Sequence, residues 1–243
     1  MEKTYLLVLD ADDTLWESAV FFRRAEEDFL ALAEALGLPA ELVRETVRRR
    51  DMERLPVTGY GAVPYTDTLE AVLREFVNDI PEWVRRSLAD IRMCLLNHPI
   101  LLLPGVNEFL KSVSGMPFFT VVYTMGEEIH QLDKFRRSGL KGLVDAFEIV
   151  SDKTSEKLRR LMNSLGYTMD RTIVVGNSPR SDVNPATGLG CRAFLLRRPY
   201  MWEAELEEFE NPELITEIGD LAELLPLLTD LQNEHVSSNE NLA

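Results

Sequence analysis

Three carboxylates stand almost together near the start of the chain, Asp10, Asp12 and Asp13 in D-A-D-D-T, directly behind the apolar run from Tyr5 to Leu9. In extended backbone alternate side chains point the same way, so Asp10 and Asp12 are expected to face one spot beyond the end of that run. Carboxylates this close repel one another unless a cation or a proton offsets them. The neighbourhood offers oxygen and no His or Cys, which suits magnesium. Two later segments carry matching chemistry. Thr124, Met125 and Gly126 follow a second apolar run and put a hydroxyl and backbone N–H groups where a phosphate oxygen could bind. G-N-S-P-R-S-D follows a third run and supplies Asn177 and Asp182, oxygen ligands able to complete a magnesium site. Lys153 opens the helical pattern ahead of that run. Each segment taken alone also reads as ordinary structure: an acidic turn, a helix cap, a solvated lysine.

The elements that must hold these residues follow from periodicity. The run Tyr5 to Leu9 stops abruptly at Asp10, as a strand buried on both faces does, and similar runs recur at Phe118 to Tyr123, Phe147 to Val150, Thr172 to Val175 and Ala193 to Leu196. Helical patterns at Glu127 to Ser138, Ser155 to Leu165 and Asn184 to Leu189 lie between the later runs. This alternation predicts an α/β fold with a doubly wound parallel sheet. In such sheets ligands bind beyond the carboxyl ends of the strands, where the acids, the hydroxyl and the amide all fall.

From Trp16 to about Pro99 the rhythm breaks. Phe22, Ala25, Phe29, Leu32 and Leu36 step by three and four, and Gly37 and Pro39 end that helix. Ala40 to Arg54, Tyr65 to Asn78 and Pro81 to Leu96 predict three more helices. The organisation expected is a core at 1–15 and 100–232 interrupted by an all-helical insert at 16–99, large enough to cover the strand ends. Leu221, Leu224, Leu225 and Leu228 suggest a last helix, with Pro226 against its continuity. Residues 233–243 are polar, lack periodicity and read as a frayed tail.

Composition bounds the partners. The 243 residues hold 26 Lys and Arg against 41 Asp and Glu, a formal charge of −15, which repels nucleic acid and anionic membrane. At 45% hydrophobic residues there is a core to build, yet no run reaches a membrane-spanning length. Cys94 and Cys191 lie far apart and the chain has only three His, so buried, reduced thiols are expected rather than a zinc site or a disulfide framework. A cytoplasmic protein acting on a small molecule is the expectation.

Together the four segments resemble the haloacid dehalogenase superfamily, in its phosphatase branch. Asp10, Ala11, Asp12, Asp13 and Thr14 match its D-x-D-x-T motif after an apolar strand. Thr124 matches the Ser or Thr at the end of its second strand. Lys153 in S-D-K-T-S-E-K matches its lysine better than Lys157 does, and Gly176, Asn177 and Asp182 match its acidic fourth loop. The resemblance spans residues 5 to about 198, and the helical insert corresponds to a C1-type cap. It implies a phosphomonoester hydrolase acting on a small phosphorylated metabolite. Asp10 would be the nucleophile and Asp12 the acid and base. Thr124, Met125, Gly126 and Lys153 would hold the phosphate. Magnesium would bind Asp10, the Asp12 carbonyl, Asn177 and Asp182. Two departures stand out: Asp13 where the family most often has glycine, and Asn177 where it usually has a carboxylate.

The cap is expected to select substrates, with Arg54, Tyr60 and Tyr65 as candidate contacts in a loop spanning Arg54 to Tyr65, and Trp202 bordering the site. The alternatives are a 2-haloacid dehalogenase-type hydrolase using the same Asp10, which enzymes generally lack the second aspartate, and a catalytically idle scaffold.

Overall fold

The structure, a computed structural model, describes residues 2–231; the tail expected at 233–243 lies outside the described residues. The first strand, β1 (Tyr5–Leu9), is followed by four helices, α1 (Ala19–Ala35), α2 (Ala40–Thr58), α3 (Ala62–Phe76) and α4 (Glu82–Leu96). Then come α5 (Val106–Ser114), β2 (Phe118–Met125), α6 (Glu128–Ser138), β3 (Ala146–Val150), α7 (Ser155–Leu165) and β4 (Thr172–Gly176). A single wide helical turn, Pro179–Val183, leads into the short α8 (Asn184–Thr187), and β5 (Arg192–Leu196) and β6 (Ile215–Ile218) complete the sheet.

All six strands run parallel in the order β3-β2-β1-β4-β5-β6. The run Leu6 to Leu9 is apolar throughout because both of its faces are covered. Leu7 and Leu9 pack with Val106, Phe109 and Leu110 of α5 and with Leu221, Leu224 and Leu228. Leu6 and Val8 pack on the other face with Leu158 and Met162 of α7 and with Ala186. The chain leaves β1 toward β2 on one side and returns to β4 on the other. That reversal opens a crevice at the carboxyl end of β1, the place where such sheets bind ligands.

The four helices between β1 and α5 bury a cluster of their own around Phe29, Ala33, Val43, Leu69, Leu73 and Val84. α1 packs against α4 and α2 against α3. Each large apolar side chain buried there contributes about 1.5–3 kcal/mol.

Several expectations need correction. The loop expected over Arg54 to Tyr65 contracts to Gly59, Tyr60 and Gly61, because α2 continues to Thr58 and α3 starts at Ala62. Pro56 is tolerated in the last turn of α2, where its missing N–H removes one bond near an end that closes with Gly59 N–H on the Leu55 carbonyl at 3.0 Å. Pro64 sits in the first turn of α3, where no intrahelical donor is needed. The pattern at Asn184 to Leu189 shrinks to one turn, Asn184–Thr187. Two elements lie outside the sequence reading, α5 and the half-exposed edge strand β6. Pro226 falls within the first turn of a helix that runs over 224–231, so it does not interrupt it. Cys191 is buried, but Cys94 is exposed on the outer side of α4; both are free thiols. Among the described residues no helix is long and apolar enough to cross a membrane.

Candidate active site

Asp10 is the first residue past β1, and its N–H still donates to the Val175 carbonyl of β4 at 2.9 Å, so the sheet fixes its backbone. Its carboxylate is buried. Oδ2 accepts from the Thr14 hydroxyl at 2.8 Å, and Oδ1 accepts a short hydrogen bond from Lys153 Nζ. The same ammonium donates to Asp182 Oδ1 at 2.6 Å, and Asp182 Oδ2 accepts from the Ser178 N–H at 3.0 Å. Burial pushes both carboxyls upward from the usual range, against the pull of Lys153. Burial works to lower Lys153, but Asp10 and Asp182 together outweigh it and keep the ammonium charged. Gly176 makes this packing possible: a Cβ there would lie 2.1 Å from Asp182 Oδ2.

Asp12 and Asp13 do not share that partner. Asp12 accepts from Lys134 Nζ at 2.6 Å on both oxygens, from Gln131 Nε2 at 2.9 Å and from the Trp16 indole at 2.8 Å. Burial acts to raise its pKa, yet Lys134 and these hydrogen bonds prevail and hold it down at about 2. Asp13 adopts φ 59, the left-handed region glycine favours, and its carboxylate caps α1 by accepting from the Ser18 and Ala19 N–H groups at 2.9 Å. Burial pushes its carboxyl up to about 6. The three acids thus have separate partners, Lys153, Lys134 and the first amides of a helix, and of the three only Asp12 is held below the usual range.

Among the described residues no three His, Cys, Asp or Glu side chains converge as a metal cage. The donor set that does converge is of another kind. With its nitrogen turned inward, the Asn177 amide donates to Asp10 Oδ2 at 3.2 Å and to the Asp12 carbonyl at 3.1 Å. The opposite amide rotamer puts a third oxygen at the same point, and three hard oxygens suit magnesium. Asp182 is not in that set. Its oxygens accept from Lys153 and from the Ser178 N–H, which joins it to Asp10 through the shared ammonium.

The profile of the haloacid dehalogenase-like hydrolases matches residues 6–190. The chain belongs to that family. It is 23% identical over 228 residues to a glyceraldehyde 3-phosphate phosphatase of Methanothermobacter thermautotrophicus, covering 90% of this chain and 97% of that one. A haloacid dehalogenase-like hydrolase from Xanthomonas campestris superposes with a TM-score of 0.82 at 25% identity, over 98% of this chain and 95% of that one. A dehalogenase solved as an intermediate complex gives 0.64 at 17% identity, over 93% and 98%.

In this haloacid dehalogenase-like hydrolase a cavity of about 740 Å³ lies between Leu55 to Tyr60 of the insert and Met125, Ser151 to Ser155, Arg180, Ser181, Asn184 and Glu207 of the sheet side, and it meets the acids at Lys153, since Asp10 and Asp12 do not line it. Lys153 and Met125 line it. Thr124 is buried at the end of β2, and its hydroxyl reaches only the neighbouring Met125 carbonyl at 3.4 Å. Of the three expected substrate contacts only Tyr60 lines the cavity. Arg54 lies inside α2 and donates to the Asp67 carbonyl at 3.4 Å. Tyr65 packs edge-on against Phe22 within the helical cluster. Both face the insert's interior because they sit on helices, not in a loop. Trp202 stands edge-on to Tyr60, ring centres 5.5 Å apart.

Lys134 and Gln131 were not singled out by sequence. The available signal was their spacing of three on α6, directly after the Thr124 segment. Lys134 is 3% exposed, which is rare for a lysine without a dedicated partner.

Proposed function

We propose that this hydrolase is a magnesium-dependent phosphomonoesterase working through an aspartyl-phosphate. Residues 1–15 and 100–232 would form the catalytic core and 16–99 the cap. The observation that carries the reading is Asp12, a second carboxylate two residues past Asp10, held in place by Lys134, Gln131 and Trp16. A nucleophile alone suffices to displace halide, whereas an alkoxide leaving group needs a proton.

In this mechanism Asp10 attacks phosphorus, the ester oxygen leaves, and Asp12 supplies that oxygen with a proton. Asp12 then takes a proton from the water that attacks the aspartyl-phosphate. Lys134 holds Asp12 ionised in the free protein, and an arriving phosphate dianion pushes its pKa the other way, as like charge does. Lys153 and Thr124 hold the phosphoryl oxygens, with the Met125 and Gly126 amides beside them. Asp10, the Asp12 carbonyl and the Asn177 amide oxygen would hold magnesium, which screens the repulsion between carboxylate and phosphate. Asp182 keeps Lys153 aimed at Asp10.

The substrate proposed is a small phosphorylated metabolite. The likeness to a glyceraldehyde 3-phosphate phosphatase supports a short carbon chain. A cytoplasmic setting belongs to the same proposal, in keeping with two free thiols. Phosphate release from a generic aryl phosphate tests the reading. Asp10→Asn is expected to lower turnover by roughly three orders of magnitude or more with an unchanged circular dichroism spectrum. Full activity in that variant, or in excess chelator, would sink it.

One observation favours a second reading. Lys153 forms a buried ion pair with Asp10, a charge partner that a carbon–halogen hydrolase would also use. Halide release from a 2-haloacid, independent of magnesium, would select it.

A further inference from the structure

Glu205 lies in a short turn, Glu203–Glu205, and is only 8% exposed. A buried carboxylate is costly unless hydrogen-bonded, and Glu205 is held by three hydroxyls from two parts of the molecule. Its Oε2 accepts short hydrogen bonds from both Ser178 and Ser181, and its Oε1 accepts from the Tyr60 hydroxyl at 2.7 Å. The two serines stand in the turn between Asn177 and Asp182. Tyr60 stands in the three-residue link between α2 and α3. From Ser178 the contacts continue inward: its hydroxyl accepts from the Ser181 N–H at 2.9 Å, and its own N–H donates to Asp182, which binds Lys153. Arg180 ties the same turn to the Ala204 carbonyl at 3.0 Å. On the insert side Gly61 approaches Glu127 so closely that a Cβ would lie 2.9 Å from its Oε2, so the link is seated against the sheet side at a second point.

We infer that Glu205 is a positioning residue that couples seating of the helical insert to the turn carrying Asn177 and Asp182. With the insert seated, Tyr60 completes the hydrogen bonding of Glu205, which fixes both serines and through them the two residues that face Asp10 and Lys153. With the insert lifted, one oxygen of Glu205 loses its protein donor and the turn loses its outer support. The site would thus take its working shape only under a closed insert. The kinetic half of the test rests on the phosphatase reading; the exchange half does not.

Tyr60→Phe removes one hydroxyl and leaves the ring against Trp202. In the full chain, amide hydrogen exchange over 177–183 is expected to accelerate by about fivefold or more, with β4 and α7 unchanged. On a generic aryl phosphate kcat should fall by a similar factor while KM stays within about twofold. In a Glu205→Gln background Tyr60→Phe should add nothing. Exchange over 177–183 equal to that of the parent overturns the coupling, as do additive effects of the two substitutions. A rise in KM with unaltered exchange would make Tyr60 a plain substrate contact and also overturn it. If exchange responds as expected but the parent hydrolyses no phosphate ester, the coupling stands and the phosphatase reading falls.

Discussion

In the proposed mechanism Lys134 sets the working state of Asp12. A buried ammonium on both oxygens of a carboxylate holds it ionised far below the usual range, at about 2, whereas proton donation needs the neutral acid. Lys134→Met removes the charge and keeps most of the volume. The limb on which kcat/KM falls with rising pH should then move to higher pH by about one unit or more, since burial alone raises a carboxyl. An unmoved limb would show that Asp12 is not the acid. In the same reading Asn177 tunes the neighbouring metal point. Asn177→Asp adds a formal charge beside Asp10, so titration calorimetry without substrate should show tighter magnesium binding by about tenfold. Equal binding in both forms would place residue 177 outside the metal's reach. The types of these residues were readable in the sequence, but their partners were not. Asp12 and Lys134 are joined only when α6 folds back along the sheet, and no local spacing in D-A-D-D-T reports it.

At the scale of elements the turn after β1 does two jobs with one residue. Asp13 holds the left-handed conformation glycine would take and also caps α1, so the strand end and the start of the insert are locked together. Asp13→Asn should keep both roles, Asp13→Gly should lose only the cap, and Asp13→Ala should lose both, costing about 1–3 kcal/mol in urea unfolding. Equal stability of the Ala and Gly variants would remove the conformational part of this account. The pH dependence has a definite sign. Burial raises the Asp13 carboxyl from 3.8 to about 6, so the folded state favours the protonated form. That contribution is complete below pH 3.8 and is lost as pH rises through about 6. The parent should therefore lose stability relative to Asp13→Asn across that window. Elsewhere, Gly, Pro and Tyr between Arg54 and Tyr65 suggested a long loop, and most of it is helix. Proline in the first turn of a helix costs no hydrogen bond and near the last turn costs one, whereas in the interior it breaks the helix, and composition alone does not say which applies.

Across the whole molecule three apolar clusters fold together, one on each face of the sheet and one within the four helices. Phe29→Ala should destabilise by about 3–5 kcal/mol. Because Phe29 belongs to the helical cluster, exchange should rise first in α1 to α4 while β1, β2 and β4 stay protected. A uniform rise would mean the helical cluster and the sheet clusters unfold as one. The parallel sheet was legible because strands covered on both faces read as unbroken apolar runs, and β6 escaped because exposed Thr216 and Glu217 interrupt its two isoleucines. The helical insert was legible as missing strands. Its contact with the sheet side, through Tyr60 and Glu205, was not, since it joins residues from distant parts of the chain.

The position of β1 carries a consequence for how the protein is made. It precedes both of its partners in the chain and lies at the centre of the finished sheet, and those partners begin only at Phe118 and Thr172. Until both have emerged, an unpaired apolar strand waits, while the helices between can gather around their own cluster from local contacts alone. Such long-range parallel pairing is slow to form and exposed to aggregation meanwhile. Asp10 acquires its setting only when β4 docks, so in refolding the helical signal should recover before catalysis does, and the interval between them is the time this chain most needs a chaperone.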